Sequence, residues 1–455
     1  MNLLHNALII DDGRCGRGYV AFENEFITHS GIGDAPAELI AVAGENAVDL
    51  KGAYLIPGVI DDQVHFRDPG LTHKADIQTE SAAAAAGGVT SFMDMPNTKP
   101  PTVTVEALDA KKLRASKVSA VNYAFFLGAT NSNLSELLKA DYTAVPGVKL
   151  FLGSSTGNML VDDEQELDAI FSHVPALIAI HSEDEATICR NRNEAVARYA
   201  PAEPPVAEHP AIRSHEACIL STRRAIDRAR RLGTRLHVLH VSTAEETGMF
   251  RAGSPETKKI TAEVTVQHLW FTDADYAALG TRIKMNPAIK TAADREALRQ
   301  ALRDGRIDIV ATDHAPHLLE EKKGGAITAA SGAPMVQFSL PLMLEMADQG
   351  VFTRELVVEK MCNAPARLFG IDRRGYLREG YFADMTVVRP ATPYIIKDSD
   401  ALSRCGWTPL AGTMLHNRVE QTWVNGQLVY SCDNGVMPHD VPAGKPLHFA
   451  ARKNA

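Results

Sequence analysis

The sequence predicts an α/β protein, a (β/α)8 TIM-like barrel with a small β-sandwich domain formed by both termini. Three observations predict it. Eight short runs dominated by Val, Ile, Phe and Leu alternate with helical stretches, most at a spacing that suits one βα unit of about 30 residues. Several runs end in a side chain capable of chemistry, as expected where βα loops form the mouth of a barrel. Both ends of the 455-residue chain are instead strand-like, with Gly and Asn at the turns.

The runs are "GVIDDQVHF" (58–66), "VTSFMDMP" (89–96), "AVNYAFFLG" (120–128), "GVKLFLG" (147–153), "ALIAIHSED" (176–184), "RLHVLHVST" (235–243), "KITAEVTV" (259–266) and "IDIVATDHAPH" (307–317). Their continuous apolar bodies suit parallel strands covered on both faces. Between them, "DIQTESAAAAAGG" is an Ala-rich helix stopped by glycines. Ser242 and Glu245 are spaced as a capping box for the helix after the sixth strand. In "TAADREALRQALRDG" (291–305), Leu298, Ala301 and Leu302 share one stripe. The barrel is placed at 56–374 and the terminal domain at 1–55 together with 375–440, while the tail "HFAARKNA" is read as frayed.

Composition narrows the function. Apolar residues make up 45% and charged residues 23%, ordinary values for a globular enzyme. A net charge of −9 without a dense basic tract argues against nucleic acid as a partner. No apolar run is long enough for a membrane span, so no membrane partner is expected. Six scattered cysteines without C-x-x-C spacing suit reduced thiols in a cytoplasmic protein.

The polar strand ends carry the chemistry. His65, His181, His240 and Asp313 are imidazole or carboxylate groups at the ends of four different strands. Taken singly, a strand-end histidine is an ordinary structural residue. Together at one barrel mouth, the four make a metal site the simplest way to offset their desolvation. Lys149 interrupts an apolar strand, and burial should push its amine toward the neutral form. A neutral amine can add carbon dioxide and become an anionic carbamate ligand; the alternative is a structural ion pair. Asp313 can also shuttle a proton. Arg67 and Asn97 offer the guanidinium and amide expected for a carboxylate or imide oxygen, Asn286 offers a further amide, and His317 faces the substrate.

These residues resemble the dihydroorotase branch of the amidohydrolase superfamily across nearly the whole chain, from "LIPGVIDDQVHFRDPG" through "AAAAAGGVTSFMDMPNT", "GVKLFLG", "IHSED", "LHVLHVST" and "KMNPAIK" to "IVATDHAPH". "FRDPG" with "DMPNT" favours that branch over hydantoinases, and allantoinase is the nearest competitor. The resemblance implies zinc held by His65, carbamylated Lys149, His181, His240 and Asp313. It further implies that Arg67, Asn97, Asn286 and His317 bind a small anionic substrate, and that a homodimer interconverts N-carbamoyl-L-aspartate and dihydroorotate in pyrimidine synthesis. Asp313 would take a proton from the attacking water and hand it to the departing nitrogen.

One position departs from the pattern. Gln63 stands where the family's first motif has histidine, and a neutral amide is a poorer zinc ligand. The expectation is therefore one tight zinc and a second that is weaker, displaced or absent. Two other readings stay open: an allantoinase-like hydrolase of cyclic ureides, and an inactive relative serving as a structural partner. Gln267 likewise replaces a common family histidine, and the neighbouring His268 is read as structural. The loop 318–335 either covers the mouth or is an exposed connection.

Overall fold

The computed structural model describes residues 1–153, 159–437 and 442–450. Eight parallel segments build the barrel: Val59–Val64, Val89–Asp94, Asn122–Phe125 resuming as Leu127–Gly128, Val148–Phe151, Ile178–His181, Leu236–Val238, Ile260–Thr265 and Ile309–Ala311. Neighbours pair in chain order, with Phe151 opposite His181 and Val238 opposite Ala262. The eighth segment meets the first through a parallel bridge between Val64 and His314, where His65 N donates to His314 O at 2.7 Å. The (β/α)8 architecture read from the sequence is thus the one observed. Strand bodies such as Val148, Leu150, Ile178 and Ile180 are fully buried, which at roughly 1.5–3 kcal/mol per large apolar side chain makes the barrel wall a main source of stability.

The helices follow their sequence signals. Ile77–Ala86 begins at Asp76, whose carboxylate accepts from Thr79 N at 2.8 Å, and it ends at Gly87. Gly88 follows with φ of +80°, and a Cβ there would meet Thr386 Cγ2 at 2.6 Å, so only glycine allows the turn back into the second strand. Ala292–Arg303 is capped by Thr291 and buries Leu298, Ala301 and Leu302.

The strand-rich ends join in one nine-stranded sheet. Tyr54–Pro57 lies between Asn2–Asp11 and Met385–Arg389, so the two ends of the chain meet at its centre. The sheet curls until Phe22 and Trp423 meet edge to face at 5.2 Å over a core of Leu4, Ile9, Val20, Leu55 and Val387.

Three details differ from the sequence reading. The capping box after the sixth strand is Thr243 with Glu246, one residue later than expected, because the Ser242 hydroxyl instead accepts from Lys290 Nζ at 2.9 Å. In the first strand, alternation of side chains puts Asp61 on one face with Gln63, His65 and Arg67, yet Asp61 accepts from the Thr312 hydroxyl at 2.6 Å, where the pairing register shifts between Asp61 and Val64. The tail is tied down as far as Phe449, which is buried and bridged to Ile371; residues 451–455 lie outside the described residues.

Candidate functional site

The strand ends deliver their side chains to one cavity. It is lined by Gln63, His65, Arg67, Asn97, Lys149, His181, His240, Asn286 and Asp313, with Phe151, Ala315, Ser331 and Gly332 completing the wall. Eight of the nine residues singled out in the sequence therefore meet. His317 sits behind them, buried, with Nε2 3.1 Å from Arg67 Nη2.

Two close pairs organise the floor. His181 Nδ1 lies 3.0 Å from His240 Nε2, and His65 Nε2 lies 3.0 Å from Asp313 Oδ1. Gln63 turns its amide nitrogen to Asp313 Oδ1 at 3.4 Å, and among the described residues no donor reaches its Oε1. Three of the site residues, Arg67, His240 and Asp313, have positive φ (65°, 40° and 45°). Such backbone costs non-glycine residues about 1–3 kcal/mol each and persists only where neighbours enforce it. Around His240 the enforcing partner is Glu263, whose Oε1 accepts the His240 amide at 3.2 Å.

Burial sets the charge states. It pushes the His65 and His181 imidazoles below their usual range against the pull of Asp313 and Glu183 respectively. His240 is held well below its usual range, because His181, Lys149 and His268 add to burial. Lys149, 1% exposed, is brought down to about 7 by burial, against Asp313, Glu263 and Asp62; its Nζ lies 4.7 Å from the centre of the Phe151 ring. The site thus presents uncharged imidazoles and a readily neutral amine, the protonation states that metal ligation and carbon dioxide addition require.

The donor set fits a metal. Two ligand atoms on one tetrahedral zinc with bonds of about 2.0–2.1 Å lie about 3.3 Å apart. Both floor pairs approach that spacing within a few tenths of an ångström.

Sequence reasoning missed the groups that hold the site residues. Glu183, wholly buried, lies 3.0 Å from His181 Nε2 and is also paired with Arg213; burial would raise its carboxyl, but Arg213 and His181 outweigh that and hold it below the usual range. Its position two residues after His181 was the available signal. His209, which burial with Arg213 and Lys284 brings down to about 3, contacts Asn286 Oδ1 at 3.1 Å through Nε2, leaving the Asn286 amide nitrogen for the cavity. Ser331 and Gly332 bring the 318–335 loop to the wall. Lys322 anchors that loop on the carbonyls of Lys284, Ala330 and Gly332, and a Cβ on Gly332 would meet Ala315 O at 2.6 Å. His268 has both ring nitrogens engaged, by Thr265 Oγ1 at 2.6 Å and Pro287 O at 3.1 Å.

Residues 54–429 match the family model described as Amidohydrolase family, and the chain belongs to that family, whose members it joins as a hydrolase acting on cyclic amides. It is 37% identical over 379 residues to a dihydroorotase of Halobacterium salinarum, covering 82% of this chain and 86% of the relative. A dihydroorotase of Pediococcus pentosaceus is 32% identical over 94% of this chain and 98% of its own length. Within the family these relatives put the chain on the dihydroorotase branch. Among solved structures, the L-hydantoinase (dihydropyrimidinase) of Arthrobacter aurescens superposes with a TM-score of 0.90 at 26% identity, over 98% of this chain and 99% of that one. No helix among the described residues is long and apolar enough to cross a membrane.

Proposed function

We propose that the protein interconverts N-carbamoyl-L-aspartate and dihydroorotate in pyrimidine synthesis, with zinc held by His65, carbamylated Lys149, His181, His240 and Asp313. The observation that carries this reading is Arg67 and Asn97 in the same cavity as those five residues. A cyclic amide bearing a side carboxylate needs a fixed cation beside the reacting centre, and Arg67 is locked there by its Nε bond to Pro316 O at 3.2 Å. Asn97 and Asn286 add amide contacts to the ring.

Zinc, when bound, polarises the scissile carbonyl and lowers the pKa of water. The chain's own residues do the rest. Asp313 lies within reach of the reacting atoms, accepts a proton from the attacking water and returns it to the departing nitrogen; in ring closure the same carboxyl works in reverse. Arg67, Asn97 and His317 hold the carboxylate so that the ring meets that carboxyl in one orientation. Gln63 supports unequal metal affinity, one ion tight and the other weaker or displaced, because its amide turns toward Asp313.

The likeness to an L-hydantoinase favours a second reading, hydrolysis of a cyclic ureide without a side carboxylate. Turnover of dihydroorotate, hydantoin and allantoin by zinc-supplemented protein separates the two. Dihydroorotate should be strongly preferred; preference for hydantoin or allantoin supports the second reading, and silence on all three supports a scaffold role. A cytoplasmic homodimer is part of the first proposal, tested by light scattering and cell fractionation.

A further inference from the structure

Below the cavity, Asp62, His237 and Glu263 converge from the first, sixth and seventh barrel strands, each with no exposed surface. Their hydrogen bonding fixes what faces what. The Thr261 hydroxyl donates to Leu236 O at 3.3 Å and so accepts from His237 Nδ1 at 2.9 Å. Nδ1 therefore carries a proton, while Nε2 is hydrogen-bonded to Glu263 Oε2 at 3.3 Å and lies 3.7 Å from Asp62 Oδ2. Among the described residues neither oxygen of Asp62 has a donor other than a proton shared with Glu263, while Glu263 spends its other oxygen on the His240 amide.

Two carboxyl oxygens and an imidazole nitrogen thus face one another with no exposure to water, an arrangement that a shared proton or a cation between them stabilises. The separations suit an ion. Ligand atoms around a tetrahedral zinc with bonds of about 2.0–2.2 Å lie about 3.3–3.6 Å apart, whereas 3.7 Å is too long for a hydrogen bond. Thr261 is the outer hydrogen-bond partner that orients a metal-binding imidazole. Imidazole nitrogen and carboxylate oxygen are both zinc ligand types.

We propose that Asp62, His237 and Glu263 bind a divalent cation, zinc being the expected ion, at a structural site one layer below the catalytic cavity. The ion ties three strands together across the barrel. Asp62 adjoins Gln63, so the strand that lacks a histidine ligand at the mouth supplies a carboxylate ligand beneath it. This site depends neither on the substrate nor on the metal proposed for the mouth.

Because the site is wholly buried, the ion must be taken up as the chain folds. Crystals of protein produced in zinc-supplemented medium should give an anomalous difference peak at the zinc edge between the three side chains. No peak there, with Asp62 and Glu263 simply sharing a proton, overturns the proposal. Independently, purified Asp62→Asn should carry one zinc fewer per chain than wild type by mass spectrometry, and an unchanged content also overturns it. If the variant does not fold, the wild-type anomalous map alone decides.

Discussion

Arg67 Nη2 sits 3.1 Å from His317 Nε2, and the opposite ring nitrogen, Nδ1, is 3.1 Å from Lys74 Nζ. Burial, with Arg67, Lys74 and Lys322 around the ring, holds His317 far below its usual range, so it is neutral and carries one ring proton between two cationic donors. The ring also has acceptors beside it, the Ser331 carbonyl and Glu321 Oε2, the latter 3.6 Å from Nδ1. A substrate carboxylate placed against Arg67 would accept from its guanidinium. Arg67→Met should therefore lower kcat/KM for dihydroorotate by about 10²–10³, the loss of a charge-assisted bidentate contact of about 2.7–4 kcal/mol. Arg67→Lys should recover only part of it. Steady-state kinetics with dihydroorotate and hydantoin check this: an equal loss on both substrates would remove Arg67 from carboxylate recognition.

Lys74 is held on Glu321 at 2.6 Å and, among the described residues, reaches the substrate region through His317. It is a positioning residue. Lys74→Met should raise KM several-fold and leave kcat within about twofold, because ring orientation affects binding of the carboxylate more than the reacting atoms. A fall in kcat with constant KM would contradict that role.

Among the described residues Asp313 is the one carboxylate at the cavity wall, 3.0 Å from His65 and at positive φ. Asp313→Asn keeps the shape and removes the proton acceptor. We expect kcat to fall by about 10²–10⁴ with unchanged circular dichroism. Residual activity near wild type would assign the proton to another group.

The barrel was legible because parallel strands buried on both faces leave continuous apolar runs, and the strand-end rule then collected His65, Lys149, His181, His240 and Asp313 in one place. The supporting contacts were not legible. Glu183–Arg213 and His209–Asn286 join residues 30 and 77 positions apart on loops and helices whose approach no periodicity encodes. Asp61 failed the alternation rule for a local reason: a register shift in its strand hands its carboxylate to Thr312. Asp62 and His237 were hidden inside strands, where a polar residue in an apolar run reads as an exception until its partners across the barrel are seen.

Gln63 offers a direct test of metal asymmetry. Its nitrogen faces Asp313 and, among the described residues, its oxygen has no donor, so an imidazole at this position would replace a weak amide contact with a ligand nitrogen beside His65. Gln63→His should raise the zinc retained after dialysis against a weak chelator. Equal retention by both proteins would mean that this position contributes nothing to ion binding.

The last prediction concerns Lys149 in protein freed of metal and carbon dioxide. Burial brings its amine down to about 7, whereas in the unfolded chain it titrates near about 10.4. Between these values the unfolded state holds a proton that the folded state has released, so stability must rise with pH across that window. Below about 7 both states are protonated and the cost of the buried ammonium is fully present. Lys149→Met carries no such group. Its stability advantage over wild type in urea titrations should therefore be greatest below pH 7 and shrink as pH climbs toward 10. Bicarbonate with zinc should narrow the gap already at neutral pH, since a carbamate replaces the ammonium. A gap that stays constant from pH 6 to 10 would mean that Lys149 keeps its proton in the folded barrel, and the carbamate reading would lose its chemical basis.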